Sequence, residues 1–176
     1  MSNSKLIKSL ELSRSLMRSQ IEALREEAED LCTNYWIEWK ERNHLEINLP
    51  RPSNTLKREY LGSYAPKLEF IGNAKKVTIT WHKFSPFKTR APSYMSKRVS
   101  AMKNGKYSKS CFVNHASWEY EMIEKTEGLL EPYRELLEFY HAAYIELGRK
   151  IRKYSKYEVA QCPTYQLMQP SRKLLM

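Results

Sequence analysis

The chain has 176 residues and a formal net charge of +10, from 30 Lys and Arg against 20 Asp and Glu. With 41% apolar and 28% charged residues, it carries enough apolar surface for a core, which excludes wholesale disorder. It has no apolar run of the roughly 18 residues a membrane span needs and no secretory-signal pattern at Met1–Lys8, and its three scattered cysteines, Cys32, Cys111 and Cys162, exclude a CxxC zinc site, so a cytoplasmic, reduced protein is expected.

The charge is unevenly placed. Residues 1–50 carry seven Lys/Arg and nine Asp/Glu, and residues 111–176 carry nine of each. Residues 51–110 carry fourteen cations against only Glu59 and Glu69, a balance of +12. Solubility alone would not require acids to vanish from one segment, so the asymmetry points to a polyanionic partner. Gly and Pro follow the same boundaries. None occurs before Pro50, and eight of the thirteen lie within residues 50–105.

The first element is a long helix over residues 5–44. Leu6, Leu10, Met17, Ile21, Leu24, Ala28, Leu31, Tyr35 and Trp39 recur at steps of mostly three and four, an amphipathic stripe. Arg14, Arg18, Glu22, Arg25, Glu26 and Glu29 are assigned to the opposite, solvated face.

A basic β region follows over residues 66–112. Lys67–Ile71 and Lys76–Phe84 flank Gly72-Asn73, a hairpin signal. Leu68 and Phe70 share a face, as do Val77, Ile79 and Trp81; Thr78, Thr80 and His82 point the other way, with His82 expected to face outward. A second hairpin is expected between Tyr94–Ser100 and Lys106–Phe112, turned at Asn104-Gly105.

The last element is a helix over residues 114–156, with Asn114 or Ser117 as N-cap and Glu119, Glu121 and Glu124 at the positive end of its dipole. Its stripe reads Trp118, Met122, Leu129, Tyr133, Leu136, Tyr140, Tyr144, Leu147, Ile151 and Tyr154. Gly128 and Pro132 predict a kink or break. Arg149, Lys150, Arg152, Lys153 and Lys156 are read as cations favoured near the helix C-terminus. Residues 159–176 read as a flexible tail.

Neither stripe can be buried alone, so the two helices are expected to pair roughly antiparallel, with Trp36, Trp39 and Trp118 near the end where the middle segment emerges; a homodimer coiled coil built on each stripe is the alternative. The fold class is α+β: two long helices flanking a small antiparallel sheet, with residues 1–158 as one domain.

Chemistry-bearing motifs are missing. His44, His82, His115 and His141 form no HExxH or His-x-His pattern, and there is no phosphate-binding glycine loop or GxSxG. Carboxylates that could hold Mg²⁺ are nearly absent from the basic segment. No enzyme, cofactor or metal is expected. The basic segment instead interleaves Lys/Arg with aromatics and hydroxyls, the composition that contacts phosphates, and a two-stranded ribbon fits a major groove. The residues assigned to nucleic-acid contact are Lys75, Lys76, Lys83, Lys88, Arg90, Tyr94, Lys97, Arg98, Lys103, Lys106, Tyr107 and Lys109. Arg90 and Arg98 are suited to guanine readout. Two other readings fit the same composition: an adaptor or inhibitor docking on an acidic protein, and an RNA binder stacking bases on Phe84, Phe87, Tyr94 and Tyr107.

A family resemblance rests on the order of short motifs: Tyr35-Trp36-Ile37-Glu38-Trp39, then Val77-Thr78-Ile79-Thr80-Trp81, then Tyr94-Met95-Ser96-Lys97-Arg98 with Gly105-Lys106-Tyr107-Ser108, then Trp118–Glu127. Over about residues 24–155 this resembles the MobI-type conjugative mobilization proteins of integrative conjugative elements and plasmids. The resemblance implies a DNA-binding accessory factor that recognises transfer-origin duplex and assists the relaxase or other conjugation proteins; from the missing apolar run, no membrane partner is expected. The chain departs from the pattern around residues 43–65 and in its tail.

Overall fold

The computed structural model describes residues 3–52, 55, 57–72, 76–84 and 96–161. Helix α1 spans Asn3–Asn48, the single turn α2 spans Lys57–Tyr60, and helix α3 spans Ser117–Gln161. Between them lie strands β1 (Tyr64–Ile71), β2 (Lys76–Phe84) and β3 (Ser96–Arg98). The sheet is antiparallel in the order β1-β2-β3. The fold is therefore α+β, two long helices with a three-stranded sheet, as expected. Two compact units can be distinguished: Met1–Ile21 with Phe139–Met176, and Glu22–Glu138.

In the Glu22–Glu138 unit the helices run antiparallel. Tyr133 Oη donates to Glu27 at 2.8 Å, and Trp39 Nε1 donates to Glu119 at 3.2 Å. The core gathers where both helices meet the sheet: Tyr35, Tyr64, Ala65, Trp81, Val99, Phe112 and Ile123 are buried together. Its rings meet edge-on, with Trp81 5.2 Å from Tyr35 and 5.3 Å from Phe112, the geometry the aromatic quadrupole favours. Trp36 packs on Phe84 at 4.8 Å, and Trp118 Nε1 donates to the Tyr60 carbonyl at 2.7 Å. All three tryptophans thus sit where the middle segment emerges, as expected.

The first hairpin forms, with β1 starting at Tyr64 instead of Lys67. Pro66 is tolerated because β1 is an edge strand. Val77, Ile79 and Trp81 face the core, each at most 5% exposed. Phe70 pairs with Val77 on that face but stays 59% exposed near the hairpin end.

The second hairpin does not form. The segment Ser96–Arg98 pairs with β2 instead, and Val99 N–H extends that ladder to the Trp81 carbonyl at 2.8 Å. The Asn104-Gly105 turn is present: Gly105 has φ +79° and its N–H donates to the Met102 carbonyl at 2.9 Å. After it the chain makes a 3-10 turn at Lys109–Cys111 that drives Phe112 between Tyr64 and Trp81. Burying that ring outweighs adding a strand of lysines and serines.

Along α3 the expected Trp118, Met122, Tyr133, Tyr140, Tyr144, Leu147, Ile151 and Tyr154 are half-buried, but the stripe departs from expectation at two leucines. Leu129 and Leu136 are exposed, while Ile123, Leu130 and Leu137 are buried together with Glu119 and Glu127. Neither Asn114 nor Ser117 caps the helix by its side chain; Glu119 reaches back to the Ala116 N–H at 3.3 Å, half of a capping box. The helix passes through Pro132 without a break. Proline clashes with the carbonyl four residues before it, and that residue is Gly128, which like Pro132 is exposed, so the freed carbonyl faces water.

In the other unit, Arg14 is half-buried instead of solvated. Its guanidinium lies 4.2 Å from the Tyr144 ring centroid, over Gly148. The helix continues to Gln161, so residues 159–161 are helical, and the remaining tail, 162–176, lies outside the described residues.

Candidate nucleic-acid interface

The junction that carries the sheet is fixed by two buried carboxylates. Glu119, fully buried, accepts N–H bonds from Ser63 and Tyr64 at 2.5 Å each, from Trp39 at 3.2 Å and from Ala116 at 3.3 Å. It thereby satisfies the amides that open β1, which have no other partner there. Burial still holds its carboxyl above the usual range, against these donors. Glu127 accepts from Trp81 Nε1 at 2.7 Å and pairs with Arg134. Arg134 in turn lies over the Tyr107 ring at 5.1 Å. These contacts hold β2 against α3 and so set the height of β3 beside it.

Of the twelve assigned contact residues, Lys75, Lys88, Arg90 and Tyr94 lie outside the described residues. The other eight fall into three groups. Lys76 is paired with Glu138 and Lys106 with Glu131, both on α3, so their charges are offset. Tyr107 is half-buried against Phe112, with burial raising its pKa. Lys83, Lys97, Arg98, Lys103 and Lys109 make no ion pair among the described residues.

Three of this last group are brought together by the β2-β3 register. Lys83 is opposite Lys97, and His82 is opposite Arg98. Directly opposed like charges destabilise a strand pair. Lys83 is drawn aside: its Nζ donates to the Val113 carbonyl at 3.0 Å and lies 5.0 Å from the Tyr64 centroid. Lys97 and Arg98 are exposed on opposite faces of a three-residue edge strand. Lys103 sits exposed on the turn that follows, and Lys109 lies 4.8 Å from the Tyr120 centroid.

Sequence reasoning missed the group beneath Arg98. His82 is only 6% exposed. Its Nδ1 is 3.2 Å from Ser96 Oγ, and its Nε2 is 3.1 Å from Glu69 Oε1. The Glu69 approach lies off the N–H direction, so it leaves Nε2 without an aligned hydrogen bond and becomes an ion pair only when the ring is protonated. Burial holds His82 below its ordinary pKa, against the pull of Glu69. Expected to face outward, this histidine is covered instead because β3 lies beside it. The alternation of Thr78, Thr80 and His82 could not report that cover.

The arrangement offers phosphate donors on an edge strand and its following turn. An open cleft elsewhere in the unit, where Glu38, Glu41 and Glu121 outnumber the single cation Arg42 beside Leu45, Trp118 and Met122, has the opposite sign. No helix among the described residues is long and apolar enough to cross a membrane. No group of three or more His, Cys, Asp or Glu residues among them could hold a metal ion.

The family model described as MobI protein matches residues 24–148, more than two thirds of the chain. The chain belongs to the MobI family. No curated protein and no solved structure matches it. Family membership supports a role in conjugation and mobilization. The MobI match runs from Leu24 on α1 through the whole sheet to Gly148 on α3. It therefore takes in both buried carboxylates and the cations of β3.

Proposed function

We propose that this member of the MobI family is a non-enzymatic DNA-binding accessory factor of conjugative mobilization. It recognises transfer-origin duplex and assists the relaxase. The observation that carries the reading is the +12 balance of residues 51–110, together with exposed Lys97 and Arg98 on an edge strand whose β2 partner presents Lys83 opposite Lys97. A polyanion laid along that edge would neutralise Lys97 and Arg98, which make no ion pair among the described residues. Lysines contact phosphates and set position, whereas the Arg98 guanidinium can pair bidentately with guanine and supply sequence preference.

The test is footprinting and gel retardation of purified protein on the noncoding DNA flanking its gene, against random duplex. A protected site that is lost in a Lys97→Ala, Arg98→Ala double variant is the expected result. An unaltered footprint in that variant would remove these residues from the interface. If neither duplex is retarded at physiological salt, an acidic protein becomes the better partner.

A further inference from the structure

A second basic surface lies outside the sheet. Within the unit formed by Met1–Ile21 and Phe139–Met176, the described helical stretches 3–21 and 139–161 hold nine Lys/Arg against Glu11, Glu146 and Glu158, a balance of +6. The helical stretches 22–48 and 117–138 of the other unit hold fifteen acids against five cations, a balance of −10. The helices as a whole look neutral to acidic only because these opposed segments cancel.

The cations are densest on α3. Arg149, Lys150, Arg152, Lys153 and Lys156 are all exposed, while Ile151 and Tyr154 between them are half-buried. Two ordinary explanations fail. The helix dipole favours cations only within the last turn, and the last turn of α3, which ends at Gln161, has none. Local pairing is no better: among the described residues only Arg149 has an acid, Glu146 at 3.5 Å. The rest stand three or four apart, as Lys150–Lys153, Arg152–Lys156 and Lys153–Lys156, spacings at which like charges destabilise a helix. Five cations in eight residues therefore repel one another along one helix. Neither the helix dipole nor local pairing accounts for the run, so its charge is best explained by an anion that covers it.

We infer that the Arg149–Lys156 segment of α3 is a second phosphate-backbone contact for duplex DNA, separate in sequence and in folding unit from the sheet edge. The inference rests on the DNA-binding reading proposed above. Closely spaced exposed cations along one helix, three of the five of them lysines, contact phosphates and set position, so the segment adds affinity that is largely independent of sequence. The cations of α1 in the same unit, Lys5, Lys8 and Arg18, are exposed as well and add to the same field.

The experiment compares three full-length proteins: the natural sequence, a Lys150→Ala, Arg152→Ala, Lys153→Ala variant, and the Lys97→Ala, Arg98→Ala variant. Each is titrated against labelled duplex over a range of salt. The triple variant is expected to bind transfer-origin and random duplex more weakly by a similar factor. Its slope of log K against log salt should be shallower by about 2 to 3, at about 0.9 per phosphate contact. Without DNA its melting temperature should rise, since the repulsion is gone and alanine favours helix; that rise guards against misfolding as the cause. If the triple variant binds with unchanged affinity and slope while the Lys97, Arg98 variant weakens, the inference is overturned and the DNA reading stands. If neither variant differs, the DNA reading falls and takes the inference with it. A triple variant that binds duplex normally but no longer adheres to vesicles containing phosphatidylserine would also overturn the inference and assign the patch to anionic lipid.

Discussion

Glu119 is a carboxylate at a position where helical periodicity asks for an apolar side chain, and four N–H groups explain it. Removing it would leave the Ser63 and Tyr64 amides buried without acceptors, at about 1–3 kcal/mol each. Glu119→Ala is therefore expected to lower stability by about 3 kcal/mol or more, read from the urea midpoint. His82 gives a pH prediction. Its folded pKa is lowered from 6.5, so the unfolded chain takes up the proton first. Its contribution to stability is present above pH 6.5 and is lost as pH falls below it. Replacing it, as in His82→Gln, should flatten that part of the stability profile. Glu119 and Glu127 have the opposite sign, since both are raised above 4.5 by burial. Their shifts favour the fold as pH falls toward 4.5 and work against it as pH rises, so the His82 dependence should be read as the difference between the variant and the natural protein.

At the scale of elements, the sequence was legible wherever apolar periodicity and turn chemistry agreed. The stripe from Leu24 through Ala28 to Trp39, the Lys76–Phe84 strand and the Asn104-Gly105 turn all read correctly. It misled where polar groups are buried or where one ring decides the path. Glu119 and Glu127 occupy the true stripe of α3, so the apolar residues alone pointed one position away, to Leu129 and Leu136. Phe112 pulls its segment out of the sheet, and β3 turns to β2 instead. The contact residues were legible as a class, because charge asymmetry needs no fold. Which of them stay unpaired was not, because Glu131 and Glu138 lie far off in sequence from Lys106 and Lys76. Two substitutions test this level. A Cβ at Gly62 would come 2.6 Å from Trp39 Nε1 and 2.7 Å from Trp118. Gly62→Ala should thus destabilise by about 1–3 kcal/mol through overpacking. Pro132→Ala restores a helical N–H in an unbroken helix and should stabilise by about 1–3 kcal/mol. Thermal melts of both variants decide the two signs.

For the whole molecule, the net charge of +10 is a poor summary. It is the remainder of a basic sheet segment, acidic helical stretches in the same unit and basic stretches in the other. A protein charged in this way should bind DNA with a salt dependence set by its basic surfaces, and a change in total charge elsewhere should matter little. The most direct test of the central claim is the affinity for flanking noncoding duplex as a function of salt. Five cations around β3 and the following turn, Lys83, Lys97, Arg98, Lys103 and Lys109, predict a slope of log K against log salt of about −4 to −5 from the sheet alone. The slope becomes steeper if the α3 segment also binds, and it falls by about 2 in the Lys97→Ala, Arg98→Ala variant. A flat salt response, or a slope unchanged by that variant, would contradict the account.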